Sequence, residues 1–123
     1  MGEPAPRRVL VVEDDAGIRQ VLREALAMEG YDVREAPDGA AALAALAAWR
    51  PDVIVLDLMM PVMDGWRLRA ELLARPELRE LPVIVVSASR HLDARTAELR
   101  AAAVLPKPFD VDRLIAEVER LAS

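Results

Sequence analysis

Short apolar runs alternate with longer amphipathic stretches along this chain. Val9-Leu10-Val11-Val12, Val53-Ile54-Val55-Leu56 and Pro82-Val83-Ile84-Val85-Val86 are continuous rather than alternating, as parallel strands covered on both faces tend to be. Tyr31 to Ala36 predicts a weaker second strand, and Ala103-Val104-Leu105 a brief fifth. Between them, Ile18, Val21, Leu22, Ala25 and Leu26 recur at helical spacing, with Gly30 where a C-terminal cap belongs. Pro37-Asp38-Gly39 predicts a turn into an alanine-rich helix running to about Trp49. A third helix is predicted from Trp66 to Ala74, with Leu68, Leu72 and Leu73 inward, and a short fourth from Leu92 to Arg100. Asp110 can cap a last helix in which Val111, Leu114, Ile115, Val118 and Leu121 form one stripe.

Five strands, each followed by a helix, imply parallel β-α-β units with right-handed crossovers. A closed eight-fold barrel would need about twice this length. The expectation is therefore an α/β fold with a doubly wound (βα)5 parallel sheet, flavodoxin-like, in strand order 2-1-3-4-5. At 123 residues the chain fits one domain, read here as residues 8–123 behind a short flexible tail at 1–7. In such sheets ligands bind beyond the carboxyl ends of the strands, where the order reverses between strands one and three.

Composition narrows the chemistry. Hydrophobic residues make up 54% and charged residues 30%, a globular rather than disordered balance. The absence of cysteine removes disulfides, thiolate metal sites and cysteine nucleophiles, and fits a cytoplasmic location. A net charge of −5, with no basic cluster beyond Arg7-Arg8, argues against a nucleic-acid face. The run Val9 to Val12 ends at Glu13 and is too short for a signal-peptide core or a membrane span.

The predicted strand ends hold the candidate chemistry. Glu13 and Asp14 follow strand one, Asp57 ends strand three, Ser87 ends strand four and Lys107 lies just past strand five. Three carboxylates so close would repel one another and raise their pKa values unless a cation joins them. Oxygen-only ligands point to Mg²⁺, held by carboxylates and a phosphate oxygen. With a lysine and a hydroxyl beside it, the set suits phosphoryl transfer, with Asp57 as nucleophile and Glu13 and Asp14 on the metal. Asp15 is read as a helix cap.

Four stretches, Val9 to Asp15, Asp57-Leu58-Met59-Met60-Pro61-Val62-Met63-Asp64-Gly65, Pro82 to Ala88 and Lys107-Pro108-Phe109, resemble the receiver domain of two-component response regulators, in order and at near-family separations. The resemblance spans residues 8 to 121 and implies roles residue by residue. Asp57 would be the phosphoacceptor. Asp14, Glu13, Asp57 and the backbone carbonyl of Met59 would hold Mg²⁺. Lys107, before a typically cis Pro108, would contact the phosphoryl group, and Ser87 would hydrogen-bond it and shift on activation. A histidine kinase or phosphotransfer protein would be the donor. The downstream partner would meet the face built by the fourth helix, strand five and fifth helix, with the protein a monomer or a phosphorylation-dependent dimer. A stand-alone receiver, not a turnover enzyme, is expected.

Four features depart from the common pattern. Glu13 stands where Asp is usual, Val104 where an aromatic often sits, and Arg100 where a glycine commonly precedes strand five, which implies an altered backbone or left-handed strain there. The stretch from Ser87 to Lys107 is also slightly short. Two rivals remain. A Mg²⁺-dependent aspartyl-phosphate phosphohydrolase would place an Asp at position 59 and add a cap, whereas this chain has Met59 and no insertion. A phosphate-independent interaction module would not need Asp57, Lys107 and Ser87. His91 reads as a solvated loop residue, Met59, Met60, Met63 and Trp66 as packing, and Arg75 to Glu80 as a charged surface loop.

Overall fold

The computed structural model describes residues 6–58, 63–87 and 99–122. It contains β1 (Arg8–Val12), α1 (Ala16–Met28), β2 (Asp32–Ala36), α2 (Gly39–Leu46), β3 (Val53–Asp57), α3 (Gly65–Ala74), β4 (Val83–Ser87), β5 (Ala103–Pro106) and α4 (Val111–Ala122). Met59, Met60, His91 and the predicted helix from Leu92, up to residue 98, lie outside the described residues, so α4 is the helix predicted as the fifth. The sheet is parallel throughout, in the order β2-β1-β3-β4-β5. This is the doubly wound arrangement the alternation of runs implied.

The continuity of the apolar runs follows from what covers each face. Leu10, Val12, Ile54, Leu56, Val83 and Val85 point to one side and pack with Ala42 and Leu46 of α2 and Leu68 and Leu72 of α3. Val9, Val11, Val53, Val55, Ile84 and Val86 point to the other and pack with Leu22 and Leu26 of α1 and Leu114 and Val118 of α4. Side chains alternate between faces along a strand, so both faces are dry only if every position is apolar. The edge strand β2 has one neighbour and reads accordingly as the weakest run, with only Ala36 fully buried.

Aspartates set three of the helix starts. Asp15, Asp38 and Asp64 each accept a hydrogen bond from the backbone N–H three residues on, at 3.0, 2.8 and 2.8 Å. Asp110 accepts from the N–H of Asp112 at 2.9 Å, entering α4. Local structure departs from expectation in three places. α2 stops at Leu46 instead of Trp49, because the chain must leave the helical region before Pro51. Trp49 is buried, with the guanidinium groups of Arg34 and Arg8 at 4.8 and 5.5 Å from its ring centre. Leu78 anchors the charged loop after α3 in the core, and Val21 lies 53% exposed outside the α1 stripe.

Truncation in the shared core should separate these positions. Leu56→Ala, which removes a fully buried side chain from the central strand, should lower the unfolding free energy by about 2–5 kcal/mol in urea titration. Val21→Ala should change it by less than about 0.5 kcal/mol.

Candidate phosphoryl-transfer and metal site

Strand register brings the predicted residues to one edge. β1, β3, β4 and β5 run parallel, so their carboxyl ends deliver Glu13, Asp57, Ser87 and Lys107 to neighbouring places. Asp57 pairs with Val86, and Ser87 with Pro106. Backbone bonds tie the exits together: Leu58 donates to the Val86 carbonyl at 3.2 Å, Lys107 to the Ser87 carbonyl at 2.9 Å and Glu13 to the Ala36 carbonyl at 3.1 Å. Period-two alternation sorts the side chains further. Glu13, Asp57 and Lys107 continue the rows of Val9-Val11, Val53-Val55 and Ala103-Leu105 on the α1–α4 face. Ser87 continues the row of Val83 and Val85 on the α2–α3 face.

Glu13 and Asp57 are 1% and 2% exposed, while Asp14 is open to solvent. One carboxylate oxygen from each of the three lies within 4.8 Å of the others. Lys107 Nζ donates to Glu13 Oε2 at 2.9 Å and to Asp57 Oδ2 at 3.3 Å. Burial pushes the Glu13 carboxyl above its usual range; the Lys107 hydrogen bond opposes this and the Asp57 charge adds to it. For Lys107 burial is the largest single influence and pulls its pKa down, but its bonds and charge pairing with Glu13 and Asp57 together hold it above the ordinary lysine value. Two buried acids against one lysine leave net negative charge, which a divalent cation with oxygen preference suits. The donor set therefore fits Mg²⁺ on its chemistry, with Asp14 offering the solvent-side ligand.

Supporting residues carry weaker sequence signals. Arg19 Nη1 donates to the Glu13 carbonyl at 2.8 Å and pairs through Nε with Glu35 at 3.3 Å, fixing the turn after β1. Asp15, read as a cap, also donates its N–H to Glu13 Oε1 at 3.2 Å. Gly65 packs on the Asp57-Leu58 backbone so closely that a β-carbon there would lie 2.5 Å from the Asp57 carbonyl oxygen and 2.6 Å from Leu58 Cα. Met63 packs against Gly39 and the core, and Trp66 also lies against the core, as expected of packing residues. The Lys107-Pro108 bond is cis, and Arg100 takes a positive φ of 47° where the missing glycine implied it. Met59 lies outside the described residues.

A doubly wound five-stranded sheet with an acid-and-lysine cluster at its switch point defines a receiver-type signalling module. The chain belongs to the response regulator receiver domain family, whose model matches residues 9–119. It is 42% identical over 118 residues to the response regulator MprA of Mycolicibacterium vanbaalenii, covering 94% of this chain and 50% of that protein. The chain thus spans about half the length of such relatives. Among solved structures it resembles the receiver domain of the Francisella response regulator 1452, at 36% identity and TM-score 0.85, covering 94% of this chain and 96% of that one. It also resembles TrrA of Thermotoga maritima, solved in complex with Mg(2+)-BeF, at 30% identity and TM-score 0.83, covering 94% and 98%. Among the described residues no helix is long and apolar enough to cross a membrane.

Two outcomes follow from this geometry. A carboxyl with a raised folded pKa binds protons more tightly in the folded chain, so it favours folding most below its unfolded value near 4.5 and loses that contribution as pH rises through the folded value. In EDTA, urea titrations should therefore show Glu13→Gln gaining stability relative to wild type as pH rises from about 4.5 to neutral, and Mg²⁺ should reverse the trend. Gly65→Ala should cost at least about 2 kcal/mol, because the obstructing atoms are backbone, and should weaken Mg²⁺ binding measured by Trp fluorescence.

Proposed function

We propose that this protein is the phosphoacceptor receiver of a two-component phosphorelay, taking a phosphoryl group on Asp57 from a histidine kinase or phosphotransfer protein and thereby changing which partner it binds. The observation that carries this reading is a nearly buried Asp57 at the end of the central strand, bonded to Lys107 and within 4.8 Å of two further carboxylates. An Asp57 carboxylate oxygen attacks phosphorus, the bond from phosphorus to the donor nitrogen breaks, and the donor imidazole leaves with the electron pair. Lys107 balances the charge that the three phosphoryl oxygens bring to a dry edge. Ser87 supplies a hydroxyl from β4, and its displacement biases an existing two-state equilibrium. Glu13, Asp14, Asp57 and the Met59 carbonyl hold Mg²⁺, which when bound supplies positive charge to the transferring group. TrrA, a structural relative solved with Mg(2+)-BeF, supports this ligand class.

Residues 8–123 form the receiver unit behind the flank 1–7, and the work is signalling in the cytoplasm rather than turnover of external substrates. Output runs through protein contacts on the face that includes β5 and α4, by a monomer or a phosphorylation-dependent dimer, and involves neither nucleic acid nor membrane. The three helix N-termini of α1, α2 and α3 also open toward the acceptor edge, and their dipoles favour added negative charge.

Incubation with acetyl phosphate should raise the intact mass by one phosphoryl group, only with Mg²⁺ present and not in Asp57→Ala. Lys107→Ala should retain the fold but lose most of the gain. Failure of the wild type with both acetyl phosphate and histidine-kinase donors would assign the chain to a phosphate-independent interaction module.

A further inference from the structure

A second polar cleft opens at the opposite end of the sheet from Asp57, beside the residues that lead into β4 and β5. Its volume is about 470 Å³, within the range of small-ligand sites, and its walls include Arg69 of α3, Arg79, Glu80, Arg100 and Leu121 of α4. Among the described lining residues, three arginines against one glutamate give a net charge of about +2, in a protein whose total is −5. Arg69 is the unusual member. It is 4% exposed; its Nε donates to the Leu99 carbonyl at 2.6 Å and its Nη2 to the Arg100 carbonyl at 2.9 Å. Its Nη1 is buried without a hydrogen-bond partner, and no carboxylate pairs with it among the described residues.

A buried cation held only by carbonyl dipoles is costly, and an unmet donor adds to that cost. Burial, and then the neighbouring charge of Arg100, both push the Arg69 guanidinium below its ordinary pKa, which is the signature of missing negative charge. Arg100 brings its charge there at a φ of 47°, a conformation that costs a non-glycine residue free energy. The charge and the unmet donor call for the same complement.

We propose that this cleft binds a small multivalent oxyanion of the phosphate or carboxylate class, seated against Arg79 and Arg100, with the buried Arg69 guanidinium adding its charge from the wall while it keeps its two carbonyl bonds. The planar guanidinium fork suits such oxygens, and charge-assisted bonds of this type are the strong ones. Because Arg69 joins α3 to the residues just before β5, occupancy would tighten the connection between β4 and β5 from the side remote from the phosphoacceptor. The site is independent of the acceptor chemistry and stands or falls separately from it.

The test uses Asp57→Asn freed of divalent cations on a chelating resin, so that the acceptor edge takes no part and no soluble polycarboxylate competes. Thermal unfolding is followed against pyrophosphate and against citrate, with sodium chloride at matched ionic strength as the control. A saturable rise in Tm with at least one polyanion, beyond the chloride control, is expected; which one acts distinguishes phosphate from carboxylate chemistry. Arg100→Gly removes the charge and suits the positive φ, so it should fold well yet bind about tenfold more weakly, as should Arg79→Ala. Both variants should accept phosphate from acetyl phosphate like the wild-type chain. A rise equal to that in chloride, or an affinity unaltered in both variants, overturns the proposal.

Discussion

Glu13 and Asp57, two carboxylates almost without solvent exposure, stand at the ends of adjacent strands, where Lys107 pairs with both. Water would stabilise each far better than this edge does, and bringing like charges together in a low dielectric adds to the cost. The sheet supplies what holds them there. β1 and β3 are central, their side chains are sealed between two helical layers, and their exits are locked by backbone bonds. The energy invested in that core keeps the Glu13 carboxyl, whose charge burial disfavours, beside Asp57. A solvated acid at this edge would have less to gain from added positive charge.

The remaining architecture follows from the same demand. A parallel sheet directs its strand exits to one side: those of β1, β2 and β3 pass into aspartate-capped helices, and that of β5 into the Lys107 turn. Helix dipoles, backbone N–H groups and Lys107 thus share one edge with the acids. Gly65 sits against the Asp57 carbonyl because nothing larger fits, which places the start of α3 directly behind Asp57. The opposite end of the sheet carries no comparable acid cluster among the described residues, and there the balance reverses in favour of arginine.

The kinship with response regulators is consistent with this division of labour. The matched region covers the strands, their exits and the helices that cap them, whereas the chain spans about half the length of relatives such as MprA. Val104 packs partly buried against the α2–α3 side of the core, so an aromatic rotating at that position has no counterpart here.

Much of the fold was legible because parallel burial leaves a plain mark. Val53 to Leu56 and Val83 to Val86 are apolar at every position, which only two covered faces explain, and strand order then followed from general topology. Asp57, Glu13, Asp14 and Lys107 were legible as candidates since each breaks or follows an apolar run, and Arg100 announced its positive φ by replacing a glycine. Other features depended on distances between residues far apart in sequence. The bonds from Lys107 to Glu13 span 94 positions, and nothing local states which carboxylate oxygens it will meet. Nothing in the pattern of α3 singles out Arg69, whose guanidinium is buried where the Leu99 and Arg100 carbonyls meet it. Periodicity reports which residues leave water, while the partners of a buried charge are decided by the packing of elements that the chain itself places apart.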